Sequence, residues 1–243
     1  MEYSAPLFME ETMKKTIIGI AAAVLLAAVF AALIIIKLGE LPEGYREIKK
    51  ARELYEKLDS ARLDMADLSN GELLMSFCFY INGNNEMILD YDCPQNGEHA
   101  YSDGKQFYYK TDGEWNAITP RDEAYIHNIY NREYRYPYAR GTAFFLDGTA
   151  VKEATIEENG GEKSITYIYD CDKLNKSSVK HLDNVSEFSE LTCVYTLNAD
   201  GLIVRFTEKG TLTDMDGKVT EINIASVVSD VNNVNVIDIP FDK

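Results

Sequence analysis

The stretch "LLMSFCFYINGNNEMILDYD", residues 73–92, decides the fold class of this 243-residue chain. Side chains two positions apart lie on the same face of an extended strand, and the first half places four apolar ones together: Met75, Phe77, Phe79 and Ile81. A turn sequence, Asn82-Gly83-Asn84, follows, and the second half again aligns apolar side chains: Met87, Leu89 and Tyr91. The stretch therefore predicts a β-hairpin with one buried face.

The predicted loop of this hairpin has three residues and sets Ile81 opposite Asn85. The side-chain pairs in this register are Phe79 with Met87, Phe77 with Leu89, and Met75 with Tyr91. The two apolar faces coincide, which is the condition that specifies register in a half-buried sheet.

Further strands follow around strong turn signals. The dipeptides Asp103-Gly104 and Asp112-Gly113 favour hairpin turns, and they separate predicted strands at 99–102, 106–110 and 114–118. Later strands are predicted at 151–157, 164–171, 190–197, 203–208 and 219–228. We therefore expect a long antiparallel meander.

A helix is predicted directly before these strands. Apolar side chains recur every three or four residues and form one stripe: Tyr45, Ile48, Ala51, Tyr55 and Leu58. The remaining surface mixes basic residues with glutamate, unlike the basic face of a helix that lies on lipid, so we expect packing against the sheet. Residues 121–131 predict a short second helix, and 132–148 an irregular segment. The predicted fold class is α+β.

Residues 16–36, "TIIGIAAAVLLAAVFAALIII", contain no charged residue. A helix of this length reaches about 30 Å, the thickness of the hydrocarbon core of a bilayer. A cleaved signal peptide is the alternative, because Met13-Lys14-Lys15 before an apolar run suits a later translation start. The run continues past the candidate cleavage site at 29–31, so we favour an uncleaved transmembrane anchor.

The anchor divides the chain into four parts. Residues 1–15 are the expected cytoplasmic tail, 16–36 the anchor, 37–44 a linker, and 45–243 an extracytoplasmic domain. A raw count of positive charges puts the large domain in the cytoplasm, but those after the span sit on a helix among glutamates. The Lys14-Lys15 pair next to the apolar run favours a signal-anchor with the C-terminal domain outside the cytoplasm.

The chain is strongly acidic. It has 24 Lys and Arg against 40 Asp and Glu, a net charge of −16. Such a surface repels phosphate backbones and anionic head groups, so neither nucleic acid nor peripheral attachment to anionic lipid is expected. The expected contact with the membrane is the single N-terminal helix.

No set of residues has a spacing typical of catalysis, a metal centre or a bound cofactor. The three histidines, His99, His127 and His181, form no HxxxH or HxH pair, and no GxSxG motif is present. The four cysteines match neither CxxC nor a zinc knuckle. Cys171 and Cys193 fall on consecutive predicted strands, which leaves a disulfide and buried free thiols equally open. We expect no enzymatic activity.

A family resemblance emerges from the order of these elements. A leading helix is followed by "SARLDMADLSNGELLMSFCFYINGNNEMILDYD", residues 60–92, and by "AYSDGKQFYYKTDGEWNAI", residues 100–118. This pattern, with "SITYIYDCDKL" at 164–174 as a closing strand, resembles the bacterial outer-membrane lipoprotein carrier and the mycobacterial lipoproteins of similar fold. The resemblance implies a curved antiparallel half-barrel, with a leading helix and short covering helices, whose concave face can house acyl chains.

The resemblance suggests where a ligand would bind. The expected ligand wall consists of apolar and aromatic strand positions: Met75, Phe77, Phe79, Met87, Leu89, Tyr91, Phe107, Tyr109 and Trp115. The other interpretation of the same residues is an ordinary packed core, since apolar strand positions are normally packing positions. A permanent anchor is incompatible with shuttling between two membranes, so a fixed binding module is expected.

Two functions follow from this sequence. The first is a membrane-anchored extracytoplasmic module that binds a lipid or another hydrophobic ligand, or a partner segment, without catalysis. The alternative is a cell-envelope interaction or sensor protein with a packed sheet, which contacts another envelope protein through a loop rich in Tyr and Arg. The contact residues of that loop are Tyr134, Arg135, Tyr136 and Tyr138.

Overall fold

The structure is a computed structural model, and it describes residues 41–84, 86–118, 129–131, 146–177 and 185–240. The chain divides into two compact units, Met1–Leu41 and Pro42–Lys243, and the fold below is that of the second. The apolar segment 16–36 lies outside the described residues. Within them, no helix is both long enough and apolar enough to cross a membrane.

Eleven strands form one antiparallel sheet in the described residues. Their bounds are β1 Ser60–Asp67, β2 Glu72–Ile81, β3 Met87–Cys93, β4 Glu98–Asp103, β5 Phe107–Thr111, β6 Glu114–Ile118, β7 Val151–Asn159, β8 Glu162–Tyr169, β9 Val185–Leu197, β10 Ile203–Asp214 and β11 Val219–Ser229. The sheet is open and curved, with few helices, which confirms the coarser features of the predicted class.

The strand order differs from a simple meander. It runs β6-β5-β4-β3-β2-β1-β11-β10-β9-β8-β7, so β6 and β7, which are consecutive in the chain, lie at opposite edges. The first six strands extend outward from β1, and the last five return from the far edge to pair β11 with β1. Two meanders therefore meet at the centre of the sheet.

The leading helix, α1, spans Tyr45–Tyr55 and confirms the predicted stripe. Its buried side chains are Ile48, Ala51 and Tyr55, all fully enclosed by the core. Two hydroxyls tie the region to the sheet: Tyr55 donates to the carbonyl oxygen of Ile203, and Tyr167 donates to that of Glu43 over 2.8 Å. The helix packs on its own sheet, as its mixed polar face predicts.

A short helix, α2, spans Cys171–Ser177 and ends β8 earlier than the sequence predicts. The cause is Asp170, whose carbonyl oxygen accepts hydrogen bonds from the amides of Lys173 and Leu174. Its side-chain Oδ1 also accepts from the amide of Lys173 at 3.2 Å. Aspartate in this position satisfies the unpaired amides of a first helical turn, so the chain turns into a helix after Tyr169.

The β2–β3 hairpin has a different register from the predicted one. Ile81 pairs with Met87, so the loop comprises residues 82–86, and the remaining pairs on that face are Phe79 with Leu89 and Phe77 with Tyr91. Asn82 accounts for the longer loop, because its Oδ1 accepts from the amides of Asn84 at 2.9 Å and Glu86 at 3.0 Å. The shift is two residues, so every side chain keeps its predicted face.

Two other hairpin loops contain the same pair of side-chain to backbone hydrogen bonds as the loop that begins at Asn82. Oδ1 of Asn198 accepts from the amides of Asp200 and Leu202 at 3.1 and 3.0 Å. Oδ1 of Asp214 accepts from the amides of Asp216 and Lys218 at 2.9 and 2.8 Å. Each side chain thus replaces backbone bonds that a five-residue loop cannot make, which is a known role of Asn and Asp in turns.

All four cysteines are free thiols: Cys78, Cys93, Cys171 and Cys193. Cys171 is the first residue of α2 and does not belong to β8. Cys171 and Cys193 therefore do not lie on neighbouring strands, the placement that would favour a disulfide. Burial raises the pKa of the Cys193 thiol well above its ordinary value. Cys193 therefore behaves as a small core residue.

Candidate ligand-binding face

The two faces of the sheet differ in what covers them. The face that carries α1 and the main core is called the inner face here, and the opposite one the outer face. Six of the nine predicted wall residues are buried on the inner face, none more than 8% exposed: Met75, Phe77, Phe79, Leu89, Tyr91 and Phe107. Met87 and Tyr109 lie partly buried against the same core.

The buried aromatic rings of this group pack on one another. The rings of Phe77 and Phe79 stack at 5.8 Å between centroids, and Phe77 meets Tyr91 edge-on at 6.4 Å. Tyr130, from the helical residues 129–131, covers Phe79 in a T-shaped contact at 5.4 Å. These side chains therefore pack in the core of the structure. Their role as a ligand wall stays a prediction.

Trp115 does not share the face of the other eight, so this part of the prediction is wrong. The two-residue turn at Asp112-Gly113 pairs Thr111 with Glu114, and this register sets Trp115 opposite Lys110. Its ring lies on the outer face, 4.6 Å from that of His99. The alternation of β5 and the length of the turn together determine this placement.

The outer face near Trp115 carries a small polar cluster. The His99 Nε2 atom lies 3.0 Å from Oδ1 of Asp90, and the Nζ atom of Lys110 lies 5.9 Å from the centre of the Trp115 ring. Among the described residues, no group of three or more His, Cys, Asp or Glu side chains is arranged to hold a metal ion.

A strip across the centre of the inner face, called the central strip here, is partly accessible. It consists of apolar side chains on β1, β10 and β11 that are only partly buried: Met65, Leu212, Ile222 and Ile224. Strand pairing brings Ile222 opposite Gly210 and Ile224 opposite Glu208. The sequence analysis missed this central strip, although the alternation "TEINIASV" at 220–227 marks its β11 side chains.

Glu208 is the acidic residue that β10 contributes to the central strip. It lies two residues from the buried Phe206 on β10, between Cys193 of β9 and Ile224 of β11. No described residue donates a hydrogen bond to its carboxyl group, and desolvation by burial raises the pKa of Glu208 to about 7. The carboxyl group is therefore largely protonated in weak acid and ionised in weak base.

Cys193 and Tyr195 on β9 interact electrostatically with Glu208, and Tyr169 at the end of β8 interacts with both of them. Burial raises the pKa values of Tyr195 and Cys193 well above their ordinary ranges, and that of Tyr169 is also raised. The three groups act on one another, since each is among the causes of another's shift. At physiological pH they are neutral hydrogen-bond donors.

Gly210 is the next residue after Glu208 on the inner face of β10. A Cβ atom at this position would lie 2.2 Å from the backbone oxygen of Glu190 on β9, so the close approach of the two strands requires glycine. Gly210 therefore allows β9 and β10 to approach closely beside Glu208.

Two surface grooves lie elsewhere. One of about 400 Å³ is formed by α1 and the β9–β10 turn, where the Nζ atom of Lys163 contacts Glu47 at 3.1 Å and Glu158 at 3.0 Å. The other, of about 570 Å³, lies around the start of α2. None of the nine predicted wall residues lines either groove.

The predicted contact loop, Tyr134, Arg135, Tyr136 and Tyr138, lies outside the residues that the structure describes, and so does most of the predicted helix at 121–131. Residues 129–131 of that helix are helical. The role of the loop stays a prediction.

No protein-family model matches the chain, and no curated protein matches it. Among solved structures, LprF from Mycobacterium bovis is similar over 82% of this chain and 97% of its own, at 12% identity and a TM-score of 0.45. The Mycobacterium tuberculosis lipoprotein LppX is similar over 80% of this chain and 97% of its own, at 15% identity and a TM-score of 0.41. Mycobacterial lipoproteins are thus among the structures this chain resembles, as its sequence pattern predicts.

Proposed function

We propose that this protein is a membrane-anchored, extracytoplasmic module that binds a hydrophobic ligand on the inner face of its sheet and performs no catalysis. The observation that carries the proposal is the central strip, where apolar side chains of the inner face remain partly accessible. The anchor is the apolar segment 16–36.

The strip has the chemistry that an acyl chain needs. Met65, Leu212, Ile222 and Ile224 offer flexible and branched hydrocarbon surfaces on three adjacent strands. Each methylene group removed from water contributes about 0.8 kcal/mol, so a chain that buries half a dozen of them gains roughly 5 kcal/mol before the entropy loss of binding. The predicted wall on β2–β5 continues the same face.

A pair of substitutions on β11 tests this proposal. Ile224 belongs to the inner face, and Val227, which is 37% exposed, belongs to the outer face of the same strand. Ile224→Asn should weaken the binding of a fluorescent fatty-acyl probe to residues 40–243 about tenfold, which corresponds to a loss of about 1.4 kcal/mol. Val227→Asn should leave it unchanged. Equal binding by both variants and the unsubstituted protein, with melting temperatures matched, would refute an inner-face site.

A second function is favoured by the burial of the predicted wall. Phe77, Phe79 and Leu89 are fully buried, which is what an interaction or sensor protein with a packed sheet would show. Its contact surface would be the predicted loop. Replacement of Tyr134, Tyr136 and Tyr138 together should then abolish recovery of a partner from crosslinked cells, whereas unchanged recovery would discard that surface.

A further inference from the structure

We infer that Glu208 is the polar anchor of the ligand site, and that the ligand is an uncharged amphiphile whose head group, an ester or hydroxyl, accepts a hydrogen bond from it. This inference rests on the proposed function. It adds the chemical class of the ligand and the residue that recognises its head group.

The position of Glu208 supports an anchoring role. Its side chain enters the inner face between Cys193 and Ile224, and part of it remains accessible there. Gly210 is the next residue on the same face of β10, and strand pairing sets Ile222 and Ile224 of the central strip beside the two residues. A hydrocarbon chain on the strip would bring its head group to the only titratable side chain that β10 places among those apolar residues.

The surroundings of Glu208 favour its neutral form. A carboxylate that is meant to hold a cation is normally kept ionised by donated hydrogen bonds or a nearby positive charge. Glu208 receives no hydrogen bond from the described residues, and desolvation is the cause of its raised pKa. The protonated carboxyl group is a donor, and it suits an acceptor such as an ester carbonyl oxygen.

The titratable groups on the neighbouring elements agree with this assignment. Cys193 and Tyr195 on β9, and Tyr169 at the end of β8, are held protonated. On the other side, β11 presents Ile224, and Asp67 of β1 lies beyond it. From α1, Arg52 interacts electrostatically with Tyr195 and Tyr169. The titratable groups that neighbour Glu208 on β9, and Tyr169 behind them, are therefore neutral.

Photoactivatable probes on the full chain in amphipol test the inference. The probes are a monoacylglycerol and an alkylamine of equal chain length, each at about pH 6 and about pH 8.5. Labelling of the unsubstituted protein by the monoacylglycerol should be roughly tenfold stronger at the lower pH, because the neutral fraction of Glu208 changes by at least that factor. Mapped crosslinks should fall on β10 and β11.

Two variants complete the experiment. Glu208→Gln keeps a donor but cannot ionise, so it should label equally at both pH values. Glu221→Gln changes an exposed glutamate on β11 and should retain the pH dependence of the unsubstituted protein. Melting curves recorded for each variant show whether the fold is intact.

The outcomes separate the two proposals. If Glu208→Gln shows the same pH dependence as the unsubstituted protein, Glu208 is not the anchor, although a hydrophobic site remains. If the alkylamine labels better at high pH and loses labelling in Glu208→Gln, the ligand class is wrong. If neither probe labels any form of the protein, the proposed function fails together with this inference.

Discussion

The hydroxyl of Tyr55, at the C-terminal end of α1, donates a hydrogen bond to the backbone carbonyl oxygen of Ile203 in β10, across 148 positions of the chain. The ring of Tyr55 is fully buried. This bond connects the helix to the half of the sheet that contains Glu208.

Removal of that hydroxyl should lower the free energy of unfolding by a small, measurable amount. Tyr55→Phe keeps the ring but leaves the carbonyl oxygen of Ile203 without this donor, so we expect a loss of about 1–2 kcal/mol in the free energy of unfolding. Tyr55→Ala also removes the ring and should cost about 3–5 kcal/mol. Urea unfolding of residues 40–243 measures both. Equal stability of the Phe variant and the unsubstituted protein would show that the bond contributes nothing.

Gly44 and Gly71 form a matched pair for testing how α1 is seated. Both have left-handed backbones, with φ of +79° and +76°. A Cβ at Gly44 would lie 2.8 Å from two side-chain carbons of the fully buried Ile165, whereas one at Gly71 would meet nothing within 4 Å. Gly71→Ala should lower the free energy of unfolding by about 1 kcal/mol because of backbone strain. Gly44→Ala should lower it by about 1–3 kcal/mol more, because its Cβ would also collide with Ile165. Thermal unfolding that gave equal losses would contradict the contact.

Glu208 should make stability depend on pH in a defined direction. Its pKa in the folded protein, about 7, is above its ordinary value of 4.5, so the folded state binds the proton more tightly than the unfolded state. This contribution is fully present below about pH 4.5 and is lost as the pH rises through about 7.

Glu208→Gln removes that dependence. At about pH 8.5 the variant should be more stable than the unsubstituted protein by about 1–3 kcal/mol, and at about pH 5 the difference should be much smaller. Chemical unfolding at both pH values measures it, with Glu221→Gln as the exposed control on β11. A constant difference between Glu208→Gln and the unsubstituted protein across this range would mean that the carboxyl group is not desolvated.

Asn82 should account for the five-residue loop of the first hairpin. Asn82→Ala removes the oxygen that accepts hydrogen bonds from two amides, at 2.9 and 3.0 Å. It should lower the free energy of unfolding by about 1–2 kcal/mol. Asn84→Ala, at an exposed position in the same loop, should change stability by less than about 0.5 kcal/mol. Equal unfolding midpoints for the two variants would assign the loop geometry to something other than the Asn82 side chain.

Most of the strands were predictable because their cause is local, although β1 was not predicted. Alternation in β2 and β3 gives the correct strands and faces, and the Asp-Gly turns at 103–104 and 112–113 give the correct strands, although Trp115 of β6 was assigned to the wrong face. The amphipathic stripe likewise gives α1. These features depend on residues a few positions apart, so the sequence displays them directly.

The errors arose where one side chain or a distant pairing decides the structure. The Oδ1 atom of Asn82 lengthens a loop, and Asp170 ends β8 with a helix, although neither effect is visible in the alternation. The pairing of β1 with β11 joins residues more than 150 positions apart. Because that pairing creates the central strip, the place of Glu208 in the proposed site could not be recognised from the sequence alone.

The most direct test is native mass spectrometry of residues 40–243, produced outside the cytoplasm and purified without detergent. If the inner face holds a hydrophobic ligand, the protein should carry a bound species that organic extraction removes, and the stripped protein should take up a monoacylglycerol. Ile224→Asn should reduce that uptake. Recovery of bare protein in repeated preparations, with no uptake of any added lipid, would contradict the account.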